Sequence, residues 1–335
     1  MSRKLTPVDP ADVAGLVFAR ITVGKSGSIY PSFSFGREPS DLTSDRGSVN
    51  EADGKVLVAS GLFSKSESGS IEYTLTPEGI REGIRRTPSY KPMDVRELLE
   101  DVLGTVLFGP HPAIDGKTAI PAIYQPGAEG SKLVLVLGEN AAGKSLFRRV
   151  VNGATHRGVK ARYDRDPEAI PQGRFPVQEF LGLSMQGRTS SGFASSCIYG
   201  EESYHSTGEN SAHTLMGGLK NAAGRTHKCI LYYDEPAVGM SARVAAGAGI
   251  TLRNFIEKGD APLVQVLFVT AHEPALIRQL APLSPHYVHL GDESGPKTLA
   301  DWLTAQENPE PVMPDDLKER ARERFRLVQK VLNAK

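Results

Sequence analysis

The spacing in this sequence best suited to chemistry lies at residues 138–145. It follows the pattern G-x-x-x-x-G-K-[ST], in which glycines let backbone N–H groups curl around phosphate oxygens. The residues are Gly138, Glu139, Asn140, Ala141, Ala142, Gly143, Lys144 and Ser145. In such a loop Lys144 would reach the β- and γ-phosphates of a nucleotide, and Ser145 would ligate Mg²⁺. The segment therefore predicts a site for a nucleoside triphosphate and Mg²⁺.

The residues around this segment fit the same interpretation. An apolar run at 132–137 is typical of a strand buried on both faces of a parallel sheet, and a helical pattern begins at Leu146. We include Leu146 among the expected nucleotide contacts. The alternative is an ordinary glycine-rich turn, but in a chain of this length the pattern arises by chance only on the order of a few per cent of the time.

A second apolar run, at 229–233, ends in adjacent acids. This position would let Asp234 hold Mg²⁺ through water and let Glu235 orient or deprotonate an attacking water molecule. Alternatively, the two acids cap the next helix. The loop upstream favours the catalytic interpretation, so Glu235 is the predicted base.

The third apolar run, at 263–269, is followed by His272. Because sites in open α/β sheets lie at the carboxyl ends of strands, we expect His272 to bridge the γ-phosphate and the water. Gln186 is a candidate sensor for Mg²⁺ and water, with Gln178 and Gln172 as competing candidates.

A weaker signal occupies residues 206–209, which read Ser-Thr-Gly-Glu and lead into a helical pattern. The backbone around Ser206 and Gly208 could present donors to a phosphate. A helix N-cap formed by Ser206 or Thr207 explains the same residues equally well. The local sequence leaves both interpretations open.

Alternating strands and helices predict an α/β fold with a mainly parallel sheet. We expect a β-rich N-terminal lobe at 1–103, a nucleotide-binding domain at 104–295, and a proline-rich linker with a charged C-terminal helix at 296–335. That helix carries apolar residues on one side, which predicts that it docks on another surface. The apolar residues are Leu317, Ala321, Phe325, Val328 and Leu332.

The order of these motifs, across roughly 124–290, resembles the ABC ATPase superfamily, and the Ser-x-Gly-Glu form is more similar to its soluble, non-transporter branch. The resemblance implies a P-loop NTPase core of ABC type, ATP as ligand and a head-to-tail homodimer in which Ser206 and Gly208 act in trans. Tyr124 would stack on adenine, or would be a buried sheet tyrosine. The sequence departs from the family at His205 and Thr207, and residues 237–242 lack the expected Asp.

The composition sets limits on the class of protein. Formal net charge is zero over 335 residues, which disfavours a strongly basic nucleic-acid binder. Only Cys197 and Cys229 occur, and neither a secretory leader nor an eighteen-residue apolar stretch is evident, so we predict a cytoplasmic protein without direct membrane insertion.

The expected function is ATP hydrolysis coupled to dimer closure, in DNA repair, genome maintenance or phage defence, with DNA or an effector protein as a possible partner. Two alternatives stay open. One is the ATP-binding subunit of a membrane transporter, and the other is an ATP-gated regulatory module that docks an effector protein.

Overall fold

The protein is described by a computed structural model in which residues 92–155, 179–183, 206–225, 228–259 and 261–334 are placed, together with Gly61 and four short N-terminal strands. The chain divides into two compact units. The smaller comprises Met1–Pro92, Ala223–Lys228 and Lys258–Leu263. Its described strands form two antiparallel pairs, β1 with β2 and β3 with β4. They are β1 (Ile21–Val23), β2 (Ile29–Pro31), β3 (Phe63–Ser66) and β4 (Glu72–Leu75).

The larger unit contains a six-stranded sheet in the order β5-β10-β6-β9-β8-β7. The edge strand β5 pairs antiparallel with β10, and all other neighbours are parallel. The strands are β5 (Ala122–Gln125), β6 (Leu133–Leu137), β7 (Glu179–Leu183), β8 (Cys229–Asp234), β9 (Val264–Thr270) and β10 (His286–Leu290). The predicted α/β class with a mainly parallel sheet is therefore confirmed.

Helices connect and cover these strands. They are α1 (Val95–Leu103), α2 (Lys144–Thr155), α3 (Thr207–Ala223), α4 (Ala242–Lys258), α5 (Pro274–Leu280), α6 (Leu299–Ala305) and α7 (Pro314–Asn333). Two short 3₁₀ helices are also present, at Pro112–Ile114 and Ala281–Leu283. None of the helices in the described part of the chain is long and apolar enough to cross a membrane.

Burial of the central strands follows from their apolar sequence. Every residue of β6, β9 and β10 is buried, as is β8 up to its last residue. In the core the ring of Tyr232 stacks on that of Phe268 with centroids 5.3 Å apart, and Phe147 of α2 meets Phe268 edge-on. Helix α2 is thereby fixed against the sheet, which positions the loop that precedes it.

Helix α1 lies at the end of the 1–103 segment that the sequence predicts as an N-terminal lobe. The helix lies in the larger unit, with Val95, Leu98, Leu99 and Val102 in its hydrophobic core. Its Asp94 cap accepts a hydrogen bond from the backbone N–H of Glu97. Because an amphipathic helix is stable only when its apolar face is covered, α1 belongs with the sheet whose core it completes.

The C-terminal segment 296–335, predicted as a linker and one helix, contains two helices. Helix α6 falls within the predicted proline-rich segment and begins with a capping box between Thr298 and Asp301. The predicted charged helix is α7, in which Val328 and Val331 are buried. It packs within the larger unit through Val328, a member of the predicted apolar stripe, and Val331, whereas Phe325 of that stripe is exposed.

Candidate functional site

The carboxyl ends of β6, β8 and β9 meet at one edge of the sheet because the three strands are parallel. Strand β9 lies between the other two. Side chains that follow β9 are therefore placed between the 138–145 loop after β6 and the acids at the end of β8. This strand order explains how residues far apart in sequence come together.

The 138–145 loop adopts a tight conformation that requires several positive φ angles. These occur at Gly138 (141°), Ala141 (62°) and Gly143 (103°). A Cβ atom at Gly138 would collide with the carbonyl of Leu290, and one at Gly143 would lie 2.9 Å from the side chain of Ile120. The glycines are thus needed for conformation and for close packing. The loop ends where α2 begins, at Lys144, so the helix N-terminus points into it.

The Lys144 ammonium is folded back into this loop. It donates to the carbonyl oxygens of Gly138 (2.9 Å) and Glu139 (3.2 Å), and it lies 2.6 Å from Nε2 of His272. Only 7% of the residue is exposed, and this burial lowers its pKa although the nearby carboxylates oppose the shift. Lys144 is thus a buried cation whose hydrogen-bond partners are oxygen atoms of its own loop and a histidine.

Glu235 completes a three-residue cluster with Lys144 and His272. Its Oε1 lies 3.0 Å from His272 Nε2 and 3.9 Å from Lys144 Nζ. The hydrogen bond with His272 is the main cause that holds the pKa of Glu235 below its ordinary value, with the charges of His272 and Lys144 adding to it. A carboxylate that stays ionised in this way can accept a proton from water.

His272 Nε2 cannot satisfy both neighbours at once. As an acceptor it accepts a hydrogen bond from the Lys144 ammonium, and as an N–H donor it donates one to Glu235, but a single ring nitrogen does one or the other. The geometry therefore couples Lys144 to Glu235 through the imidazole. If an anion draws Lys144 away, Nε2 becomes available to Glu235.

Thr270 is a residue of this cluster that the sequence analysis did not identify. Its hydroxyl donates to Asp234 Oδ1 at 2.6 Å and accepts from the backbone N–H of Glu235 at 3.0 Å. Glu235 has a φ of 55°, and its N–H also bonds the Thr270 carbonyl. One buried threonine thus orients both acids. The sequence feature that could have identified Thr270 is a polar residue at the end of a mainly apolar strand.

A cleft of about 580 Å³ opens over the loop, and we call it the loop cleft. It is lined by residues of the loop and of the start of α2, by Asp234 and Glu235, and by Ile120 and Arg149. Residues of α7 also line it. The lining includes Asn140, Ala141, Ala142, Gly143, Lys144, Ser145, Leu146, Asp234 and Glu235. The volume is within the range of small-molecule sites.

The donor set of this cleft fits Mg²⁺ held jointly by protein and phosphate. Ser145 and Asp234 both line it. No cluster of three or more His, Cys, Asp or Glu residues suited to a metal occurs within the part of the chain that the structure describes. Mg²⁺ typically takes one or two protein oxygens together with substrate phosphates and waters, so these two residues suffice.

The 206–209 segment is used as a helix cap. The backbone N–H and the hydroxyl of Ser206 donate to Glu209 Oε2 at 2.7 and 2.9 Å, and the N–H of Glu209 donates back to the Ser206 hydroxyl. A Cβ atom at Gly208 would lie 2.6 Å from the carbonyl oxygen of Gly239. The capping alternative thus accounts for Ser206, and close packing within the chain accounts for Gly208.

This cap nevertheless lies near the site. Residues 237–240, against which Gly208 packs, line a second cleft of about 270 Å³ together with Glu235, His272 and Glu273. Glu235 borders both clefts. Ser206 itself is exposed, so its surface is accessible from outside the chain.

Tyr124 lies elsewhere. It is part of the edge strand β5, its hydroxyl is 2.9 Å from His286 Nδ1, and its ring stacks on that imidazole. Burial raises its pKa to about 12. The described residues that line the loop cleft do not include Tyr124. This position fits a tyrosine of the sheet better than a residue that stacks on adenine.

The structure brings Lys144, Ser145, Asp234, Glu235 and His272 together at one edge of the sheet. Gln186, Gln178 and Gln172 lie outside the described residues, as does His205. No protein-family model matches the chain, and no curated protein matches it either. The site is therefore interpreted from its geometry.

Proposed function

We propose that this protein is an ATPase that requires Mg²⁺. The observation that carries the proposal is the convergence of Lys144, His272 and Glu235 over the 138–145 loop, at a helix N-terminus. A helix N-terminus and a buried lysine favour a polyphosphate anion, and an ionised carboxylate nearby provides a base. Together these features support hydrolysis of a phosphoanhydride bond.

In this mechanism Ser145 and Asp234 hold Mg²⁺, which neutralises the negative charge of the β- and γ-phosphates. Thr270 keeps Asp234 oriented for that task. Lys144 leaves its own loop carbonyls and donates to phosphate oxygens instead. The exchange is favourable because phosphate offers a formal negative charge where the carbonyls offer only a dipole.

Glu235 then accepts a proton from a water molecule as that water attacks the γ-phosphorus. The bond between the γ-phosphorus and the bridging oxygen breaks, and ADP leaves with the bonding electrons. Once Lys144 has moved to the phosphates, the imidazole of His272 exchanges its Nδ1 proton with water for one on Nε2, and Nε2–H then donates to Glu235 and holds the carboxylate in place. The short contacts among the three residues support this sequence of exchanges.

We further propose that ATP favours association with a second copy of this chain through the surface around Ser206. This surface is exposed, and its α3 N-terminus adjoins the residues of the second cleft. A helix N-terminus carries partial positive charge, which suits a phosphate presented by a partner. The geometry of the cap leaves the outer side of Ser206 open for that contact.

The assignment is tested by measuring ATP binding and phosphate release for the wild type and for Lys144→Ala, with Mg²⁺ and with excess EDTA. We expect Mg-dependent hydrolysis in the wild type. We expect little or no ATP binding in Lys144→Ala, since Lys144 is the cation that the loop itself supplies. Lys132→Ala is a matched control because Lys132 is also partly buried but donates to Val264, away from the cleft. Equal ATP affinity in Lys144→Ala and wild type would rule out the site.

A further inference from the structure

Helix α7 lines the loop cleft together with residues of the 138–145 loop. Six residues of this helix line it: Ala321, Arg324, Phe325, Val328, Gln329 and Leu332. These positions recur at intervals of three or four residues, so they share one face of the helix. A ligand held by the loop would therefore lie beside α7.

Helix α7 is fastened to the loop. The guanidinium of Arg324 donates to the carbonyl of Ala141 and to that of Gly291, each at 2.6 Å. Gly291 has a φ of 96°, and a Cβ atom there would lie 2.9 Å from both Ala142 Cβ and Arg324 Nη1. Arg324 thus fixes one point of α7 beside the loop, and burial of Val328 and Val331 holds the helix on the core.

Phe325 is the unusual residue of this lining. It is 64% exposed, and it is the one aromatic residue among the exposed large apolar side chains of the described part of the chain. The adjacent residues on α7, Arg324 and Val328, are committed to the loop and to the core. Phe325 is not part of the core cluster, and it lines the loop cleft.

We propose that Phe325 stacks on the purine base of the nucleotide whose phosphates contact the 138–145 loop. This inference rests on the proposed function and adds the base-binding residue to it. A base has an apolar face and a polar edge, so it covers an exposed aromatic ring while its edge remains in water. Tyr124, the aromatic residue upstream of the loop, is occupied by His286 and lies outside this lining.

The consequence is that α7 completes the site from within the same chain. The phosphates are held by the loop, the base by the helix, and Arg324 sets the separation between the two. The cleft volume of about 580 Å³ is large enough for a nucleotide that contacts both the loop and the helix.

The stacking contact is tested by titrating the protein with Mg-ADP and comparing wild type, Phe325→Ala and Phe325→Trp by calorimetry. We expect Phe325→Ala to bind about 10-fold more weakly, which is a typical loss for removal of one base–aromatic stack. Phe325→Trp should retain the affinity because it keeps an aromatic face. Arg326→Ala is the control, since Arg326 is an exposed α7 neighbour that does not line the cleft.

A second readout separates stacking from a general effect on the helix. The chain has one tryptophan, Trp302, which is buried. The indole introduced by Phe325→Trp should be quenched by Mg-ADP and unaffected by inorganic pyrophosphate, while the wild-type emission stays constant with both. Unchanged affinity in Phe325→Ala, or unquenched emission in Phe325→Trp, overturns the stacking contact. Absence of ADP binding in the wild type would instead overturn the proposed function.

Discussion

Two regions of this molecule were expected to contact nucleotide, and they differ in what their polar groups do. At the carboxyl edge of the sheet, Lys144, Glu235 and His272 come from three separate segments of the chain and contact one another. At residues 206–209, the polar groups of Ser206 and Glu209 bond each other within one turn of helix. In the first region the polar groups join distant segments of the chain, whereas in the second they cap a helix.

The two regions also differ in the structural roles of their predicted site residues. The Lys144 ammonium bonds the carbonyls of its own loop, and it also lies beside His272 and Glu235. Such a cluster of ionisable groups is a candidate functional site. Ser206 and Gly208 have clear structural tasks, as a cap and as a point of close packing with Gly239. Any role of theirs in a dimer has to be added to those tasks, and must be tested with variants that preserve them.

The largest expected effect is on hydrolysis in the first region. Glu235→Gln keeps the size of the side chain but removes the base, so phosphate release should fall by about 100- to 10,000-fold while ATP still binds. Glu257→Gln is the control, because Glu257 lies on α4 in an exposed pair with Arg253. Steady-state phosphate release is the measurement. Wild-type turnover in Glu235→Gln would remove Glu235 from catalysis.

The second prediction concerns the proposed dimer. Ser206→Asn and Ser206→Asp both keep an N-cap, but only Asp adds negative charge where a partner's phosphate would approach. In a Glu235→Gln background with ATP, we expect the Asn variant to dimerise and the Asp variant to dimerise at least about 10-fold more weakly, because like charges in an interface cost several kcal/mol.

Light scattering or sedimentation over a concentration series measures this dimerisation. Both variants should bind ATP as the parent does, since the 138–145 loop is untouched. If the Asn and Asp variants dimerise equally, or if mass is the same with and without ATP, the 206–209 segment is a helix cap and nothing more. Gly208 is unsuited to this test because a side chain there collides with Gly239 of the same chain.

Thr270 should show a smaller effect on turnover. Thr270→Val preserves shape but removes the hydroxyl that orients Asp234 and Glu235, so kcat should fall by about 10-fold, the scale of one hydrogen bond to a charged group. Thr270→Ser restores the hydroxyl and should recover most of the activity. Equal losses in both variants would mean that the methyl group, and hence packing, is what matters.

The smallest effect is on stability in the second region. Gly208→Ala places a Cβ atom 2.6 Å from the Gly239 carbonyl oxygen, so we expect the free energy of unfolding to fall by about 1–3 kcal/mol. Gly247→Ala on α4 is the matched control, because no atom lies within 4 Å of its added Cβ and alanine favours helix by about 1 kcal/mol. Denaturant unfolding measures both. If the two variants have the same stability, the packing of Gly208 on Gly239 is not tight.

Much of the fold followed from local patterns. Continuous apolar runs predicted β6, β8 and β9, and they are buried as expected. The charged C-terminal helix predicted within 296–335 is α7. These elements were accessible because hydrophobic periodicity reports burial directly.

Other features could not be read from the chain. Periodicity indicates that α1 has an apolar face, but not which core covers that face. The same limit applied to α7, whose apolar stripe was evident while its contact with the 138–145 loop was not. For Thr270, the polar end of β9 was visible, but its partners lie on another strand.

The sequence by itself determined which residues are candidates for chemistry, since the spacing of 138–145 and the acids at the end of β8 depend only on neighbours along the chain. The tertiary structure decided which of them meet. Strand β9 lies between β6 and β8, and this order places His272 within hydrogen-bond distance of both Lys144 and Glu235. The docking of α7 likewise places Phe325 beside the loop. Strand order and helix docking depend on the packing of distant segments, which no local pattern encodes.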